Sequence, residues 1–204
     1  MADLVRFTEC MSGRLSPRVA EPHCLAERGG DPGYFVLTVV TPDVDAMVAD
    51  LRHRNRAYGC VVLPALHPLP LAVEHGFFDL FVEASGADRA YHMHYQLRLR
   101  DDEGRRYFLR GLKEVSRRWW VPTMPMDTTT LFTDVFAGDD DGGEPLLRGV
   151  LRMGPLAVTM QGLSFRGEGA WLGLRGIARF MGYYMARVWQ AYTAPRRAPR
   201  LWPC

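Results

Sequence analysis

Lys113 is the first residue whose type and surroundings suggest chemistry. The chain has 24 arginines and a single lysine, which lies in the apolar segment FLRGLKEV. An ammonium is a compact charge on a flexible stem, and its pKa changes readily on burial, whereas a guanidinium stays planar and charged. Lys113 is therefore a candidate functional residue. The alternative is a structural lysine that pairs with a carboxylate or extends to the rim of the fold.

Two carboxylates stand in similar surroundings. Glu9 shares the apolar face of a predicted strand, and Asp127 precedes three threonines. If the fold brings Glu9, Asp127 and Lys113 together in an apolar interior, the three groups would shift one another's pKa values. One of them could then act as a general acid or base near neutral pH. The lysine could also form a Schiff base or bond to a substrate carbonyl. The alternatives are a cluster that neutralises its own charges, three residues that do not meet, or Asp127 as a turn residue.

Aromatic and methionine side chains are the candidates for binding a ligand. Rigid aromatic rings and adaptable methionines suit an apolar compound, although each of these residues could equally be ordinary core or a packed loop. The predicted binding residues are Tyr91, Met93, Tyr95, Phe78, Trp119 and Trp120.

Other common sites are not indicated. His92 and His94 share one face of a strand, but no third ligand is evident, so we expect a solvent-facing pair and no metal site. The chain contains no GxSxG, HExxH or Walker motif, which excludes the common hydrolase, zinc-protease and nucleotide-hydrolase classes. No GxGxxG follows a strand, and we expect no cofactor.

The hydrophobic pattern places these residues on strands. From Tyr91 to Arg100, apolar and polar residues alternate strictly, which predicts a strand with one buried face. Pro42-Asp43 is typical of a helix start, as is Pro155. We predict a short helix after the second strand, two C-terminal helices from Pro155 and over 172–192, and strands at 4–11, 34–41, 57–66, 71–84, 91–100, 106–115, 128–137 and 147–153.

Eight mainly antiparallel strands predict a lipocalin-like β-barrel, because that number closes around side chains or one small ligand. The rival architecture is an open sheet wrapped around the long C-terminal helix. We expect one domain over residues 1–192 and a disordered tail over 193–204.

Composition limits the partners. The formal net charge of +2 gives no reason to expect nucleic acid. No signal peptide and no run of about 18 apolar residues is visible, so no membrane span is predicted. The four cysteines form no CxxC pair and are read as free thiols of a cytoplasmic protein.

Five segments in this order resemble a family. They are FTECMSG, GFFDLF, MHYQLRLRDDEGRRYFLRGLKEV, DTTTLF and GVLRM, and the resemblance runs over most of the chain, from about Phe7 to Tyr192. They resemble an accessory domain appended to some bacterial glucose-methanol-choline, cholesterol-oxidase-like oxidoreductases. The resemblance implies apolar, polycyclic or isoprenoid-like ligands, but no flavin or redox activity.

Three functions remain open at this point. The first is a cofactor-independent cyclase or isomerase of specialised metabolism, acting on an apolar polyketide-like or terpenoid-like compound in a barrel pocket. The second is a non-catalytic module that binds a hydrophobic ligand and serves a partner enzyme such as an oxidoreductase. The third is a structural or membrane-surface protein that uses the long helix and the basic tail. A homodimer is compatible with each.

Overall fold

The computed structural model describes residues 3–17, 29–83, 91–115 and 128–193. Within these ranges the helices are α1 (Val44–Ala49), α2 (Pro155–Ser164) and α3 (Ala170–Thr193). The strands are β1 (Val5–Ser16), β2 (Asp31–Thr41), β3 (Arg54–Val62), β4 (Leu71–Glu83), β5 (Tyr91–Arg100), β6 (Arg106–Val115), β7 (Thr130–Ala137), β8 (Leu147–Arg152) and the two-residue β9 (Arg166–Gly167). The predicted tail over 193–204 falls, apart from Thr193, outside the described residues.

Strands β2 to β8 pair in sequence order, each antiparallel to the next. Strand β1 then pairs with both β8 and β2, which closes the sheet into an eight-stranded barrel. The predicted barrel is thus confirmed, and the open sheet around a helix is not the architecture of this chain. Closure leaves the barrel proper without a free edge along the paired segments.

Two glycines make the β1–β8 seam possible. A Cβ atom on Gly13 would lie 2.0 Å from the carbonyl oxygen of Val150, and one on Gly149 would lie 2.0 Å from that of Arg14. Real side chains never approach a backbone so closely, and glycine is the residue that permits such contact. The same two glycines stand in the segments FTECMSG and GVLRM.

The seam is short, and α2 lies beside its open part. Strand β1 pairs with β8 only from Ser12 to Ser16 and with β9 only at Val5 and Arg6. Between these stretches the backbone N–H of Thr8 donates to Ser164 Oγ at 2.8 Å, at the end of α2. The Ser164 hydroxyl thus accepts a hydrogen bond from a β1 N–H group at a point where neither β8 nor β9 pairs with β1.

The alternating residues of the strands fill the interior. On β5, Tyr91, Met93, Tyr95, Leu97 and Leu99 are all buried, as the period-two pattern predicted. Two register shifts interrupt β4, one just before Gly76 and one between Asp79 and Val82. At the second shift Phe81 adopts a positive φ of 53° and remains buried.

The helices lie where the sequence predicted them. The side chain of Asp43 accepts hydrogen bonds from the N–H groups of Asp45 and Ala46 and so caps α1. Helix α3 buries Phe180, Val188 and Ala191 in the same core as the strands. No described helix is long and apolar enough to cross a membrane.

Candidate functional site

A cavity of about 240 Å³ lies between one end of the barrel and the two C-terminal helices. Its wall is mostly apolar, and its polar side chains include one carboxylate and one ammonium. The lining residues are Phe7, Glu9, Phe78, Leu80, Met93, Lys113, Thr128, Thr129, Met153, Val158, Gln161, Gly162, Phe165, Phe180, Met181 and Tyr184.

Glu9 and Lys113 form a buried ion pair at this cavity. Glu9 stands on the inner face of β1, and Lys113 stands on β6 opposite Met93. The lysine Nζ donates to Glu9 Oε1, and the two side chains are only 2% and 3% exposed. Because both groups are buried, bulk water cannot solvate either charge if its partner is removed. Each charge is therefore compensated by the other.

Tyr95 completes the pair from β5. Its hydroxyl donates to Glu9 Oε2 at 2.8 Å, and the Lys113 ammonium lies 5.2 Å from its ring centroid. Burial raises the pKa of the Tyr95 hydroxyl well above its usual value, and the negative charge of Glu9 raises it further. The tyrosine therefore stays protonated and holds the carboxylate in one orientation.

A second tyrosine borders the cavity. Burial raises the pKa of Tyr184 to about 12, although its hydrogen bond with Thr128 acts in the opposite direction. The charge of Glu9 adds to the increase. At neutral pH the cavity thus contains a neutral phenol, which can donate a hydrogen bond, near an ion pair.

Aromatic rings form the apolar wall. Phe7 and Phe165 are stacked with centroids 4.7 Å apart, and Phe180 lies 5.7 Å from Phe7 and 5.9 Å from Phe165. On the other side Phe78 contacts the buried Tyr95 at 4.6 Å between centroids. Such a wall favours a planar or cyclic apolar ligand over a charged one.

The structure unites some of the predicted residues and not others. Lys113, Glu9, Met93 and Phe78 line the cavity, and Tyr95 lies fully buried behind the ion pair. Tyr91 is buried but is not a lining residue. Its hydroxyl donates to Gln190 at 3.2 Å and accepts from Arg187 at 3.3 Å. Asp127, Trp119 and Trp120 lie outside the described residues.

Sequence reasoning missed the helical side of the site. Phe180 and Tyr184 are four residues apart on the apolar stripe of α3, a spacing that predicts burial but does not identify a cavity. Phe165 follows α2 directly, and Thr128 precedes β7. Only the packing of α2 and α3 against the end of the barrel places these residues beside Lys113.

The paired histidines have no third potential metal ligand beside them among the described residues. The rings of His92 and His94 lie 5.7 Å apart, and both residues are half-buried on the outer face of β5. Burial lowers the pKa of His94, as does the neighbouring His92. Among the described residues, no group of three or more His, Cys, Asp or Glu side chains could hold a metal ion.

The arrangement offers three polar functions around one apolar space. Glu9 is a carboxylate that can accept a proton, Lys113 is a cation that can polarise an oxygen, and Tyr184 is a neutral donor. Glu9, Lys113 and Tyr184 all line the cavity. A carboxylate, an ammonium and a neutral phenol around an apolar space are suited to proton transfer on a carbonyl compound.

Comparison with protein-family models, with curated proteins and with solved structures found no match to this chain. The resemblance to the oxidoreductase accessory domain therefore stays a prediction, and the case for a function rests on the geometry of the site.

Proposed function

We propose that the protein is a cofactor-independent isomerase or cyclase that acts on an apolar, carbonyl-bearing compound of polyketide-like or terpenoid-like character. The observation that carries this proposal is the Glu9–Lys113 ion pair, which is buried in the wall of a mostly apolar cavity of about 240 Å³. Buried charges are costly, and their position in the wall of an apolar cavity is a common property of catalytic sites.

The proposed reaction moves one proton within the substrate. A substrate carbonyl oxygen accepts hydrogen bonds from Lys113 and Tyr184, and the Glu9 carboxylate removes a proton from the adjacent carbon. The resulting enolate is stabilised by the ammonium and the phenol. Glu9 then returns the proton to another carbon, which gives the isomer. In a cyclase, the enolate carbon instead attacks a second carbonyl, and the proton passes to that oxygen.

Tyr95 acts as a positioning residue in this scheme. Because its hydroxyl bonds Glu9 Oε2 while Lys113 bonds Oε1, the carboxylate cannot rotate freely. When a site holds its reactants in a productive orientation, the activation free energy can fall by up to roughly 7–11 kcal/mol in favourable systems. The aromatic wall of Phe7, Phe165 and Phe180 would hold the substrate in one conformation.

The cavity volume limits the substrate. Ligand pockets commonly measure about 300–1,000 Å³, and this cavity lies just below that range. We therefore expect a compact ring system, or the reactive end of a longer compound, to occupy it. A polar or multiply charged metabolite does not suit a wall whose exposed surface is predominantly carbon.

The direct test uses a small enolisable probe, the β,γ-unsaturated isomer of cyclohexenone. Isomerisation to the conjugated ketone is followed by ultraviolet absorbance, and deuterium uptake from heavy water by NMR. The wild-type protein is expected to exceed the buffer rate. The double variant Glu9→Gln/Lys113→Met is expected to return to the buffer rate, because it removes the base and the cation without leaving one buried charge unpaired.

Asp79→Asn is the matched control. Asp79 is also a buried carboxylate in an ion pair, 2.7 Å from Arg54, but it does not line the cavity. This variant is expected to lose stability and to keep the wild-type rate per folded molecule. Equal rates in the wild type and in the Glu9→Gln/Lys113→Met variant would contradict the proposal.

A binding module without catalysis is the second candidate. The observation that favours it is that both oxygens of Glu9 are already bonded, one by Lys113 and one by Tyr95. Such a carboxylate can be purely structural. Native mass spectrometry of protein from its own host, followed by organic extraction, would reveal a retained apolar compound. Retention of an unchanged compound, together with no probe turnover, would favour delivery to a partner such as an oxidoreductase.

A further inference from the structure

Helix α2 carries an apolar stripe that no described residue covers. Leu156, Met160 and Leu163 recur at helical spacing and are 76%, 57% and 66% exposed. None of the ten residues of α2 is charged, and none is buried. A surface helix normally turns a polar face to water, so this stripe is unusual for a helix that contacts only solvent.

The two sides of α2 have different surroundings. Val158, Gln161 and Gly162 line the cavity, and Ser164 bonds to β1. The stripe consists of other residues of the same helix, so the barrel does not need it for packing. Core formation therefore does not explain why these three positions are apolar.

The first turns of α3 also expose large apolar side chains. Trp171 is 86% exposed and Leu174 is 65% exposed. The backbones of Gly167 and Gly173 touch, since a Cβ atom on Gly167 would lie 2.4 Å from Gly173 Cα. This contact brings the start of α3 close to the residues that directly follow α2.

Arginine predominates among the charged residues of this part of the chain. From Pro155 to Thr193 the chain has four arginines and a single acidic residue, Glu168. Arg166 donates to the carbonyl oxygens of Leu163 and Phe165, so its guanidinium lies beside the end of the stripe. The side chain of Arg175 is 64% exposed, and its Nε lies 3.7 Å from Asp3 Oδ2, which also pairs with Arg179.

We propose that the stripe of α2, with Trp171 and Leu174, docks the protein on an anionic lipid bilayer. Exposed leucine and tryptophan beside arginine, with few acidic residues, are the composition of helices that lie in a membrane interface. A bilayer also accepts protruding side chains without a complementary recess, which a protein partner would have to supply. This docking is independent of the proposed reaction.

Sedimentation with phospholipid vesicles tests the proposal. The full chain is mixed with vesicles of phosphatidylcholine alone or of phosphatidylcholine with an equal part of phosphatidylglycerol. We expect binding to the anionic vesicles that weakens as salt is added, because screening shortens the reach of the arginine charges. Quenching of tryptophan fluorescence by brominated lipid is expected in the wild type and is expected to fall in Trp171→Phe.

Two variants distinguish membrane binding through the stripe from nonspecific hydrophobic adsorption. The triple variant Leu156→Ala/Met160→Ala/Leu163→Ala keeps good helix formers and is expected to lower the partition coefficient at least about tenfold. The control Tyr34→Thr/Tyr58→Thr removes side chains that are 47% and 45% exposed on β2 and β3, and it is expected to bind as the wild type does. Circular dichroism verifies that both variants fold.

Several results would overturn the proposal. They are a wild-type protein that sediments with neither vesicle, a triple variant that binds like the wild type, and equal loss in the control. A wild-type dimer that the triple variant dissociates, with no vesicle binding, would show instead that a second copy covers the stripe. Light scattering on the purified protein distinguishes that case.

Discussion

The ammonium of Lys113 on β6 bonds the carboxylate of Glu9 on β1 inside the barrel, although 104 residues separate them in the chain. Strands β7 and β8 lie between β6 and β1 in the sheet, so this contact spans the interior and does not follow one strand pair. The ion pair therefore depends on closure of the barrel, and it is also the centre of the proposed chemistry.

The free energy of unfolding tests this dependence. Lys113→Met leaves Glu9 buried without a counter-charge and is expected to cost about 3–5 kcal/mol. The double variant Glu9→Gln/Lys113→Met is expected to be more stable than the single variant, because it leaves no buried charge. Urea unfolding of the wild type, Lys113→Met, Glu9→Gln and the double variant completes a double-mutant cycle. Costs that simply add would show that the two groups do not interact.

Alkaline pH is expected to destabilise the protein through Tyr184. The pKa of Tyr184 is raised to about 12 in the folded state, whereas an unfolded tyrosine ionises near pH 10. The contribution of neutral Tyr184 to the free energy of unfolding is complete below about pH 10. This contribution falls by about 1.4 kcal/mol per pH unit as the pH rises towards 12.

Tyr184→Phe should remove this part of the pH dependence. Urea unfolding at several alkaline pH values compares the slopes of the two proteins, and tyrosinate absorbance reports ionisation directly. An identical slope in wild type and variant would mean that Tyr184 ionises as an exposed tyrosine does.

Filling the cavity from α2 is expected to block binding without unfolding the protein. Gly162 lines the cavity, and no atom lies within 4 Å of a Cβ placed on it. Gly162→Trp should abolish the fluorescence increase of an uncharged apolar dye such as N-phenyl-1-naphthylamine. Loss of a helical glycine should also stabilise α2 by up to about 1 kcal/mol.

Gly182→Trp is the control for that experiment. Gly182 is likewise helical, exposed and open around its Cβ, but it does not line the cavity. Its dye binding should match the wild type. Equal dye fluorescence in both variants would place the dye somewhere other than the cavity.

The β1–β8 seam is expected to tolerate no side chain at its two glycine positions, Gly13 and Gly149. Gly149→Ala would place a Cβ atom 2.0 Å from the carbonyl oxygen of Arg14, so the strands must separate. We expect a loss of about 3 kcal/mol or more, or failure to fold. Gly143→Ala, in open space, should change stability little. Thermal unfolding of both variants measures the difference, and similar midpoints would contradict the tight seam.

Much of the local structure could be predicted from the sequence. Strict alternation from Tyr91 to Arg100 predicted β5 with its correct ends, and the return strand over 106–115 was also correct. Pro42-Asp43 and Pro155 marked the helix starts. The unique lysine and the carboxylate on an apolar strand face identified Lys113 and Glu9. These signals are local, because side-chain direction repeats every two residues in a strand and every 3.6 in a helix.

Which of these residues meet depends on how the strands and helices pack. Strand β1 continues to Ser16, beyond the predicted Met11, because its far half pairs with both β2 and β8. The meeting of Glu9 with Lys113 and Tyr95 follows from strand order and closure, and Tyr184 joins them because α3 packs over the barrel end. Distances across a barrel depend on pairing register and helix docking, which periodicity along the chain does not contain.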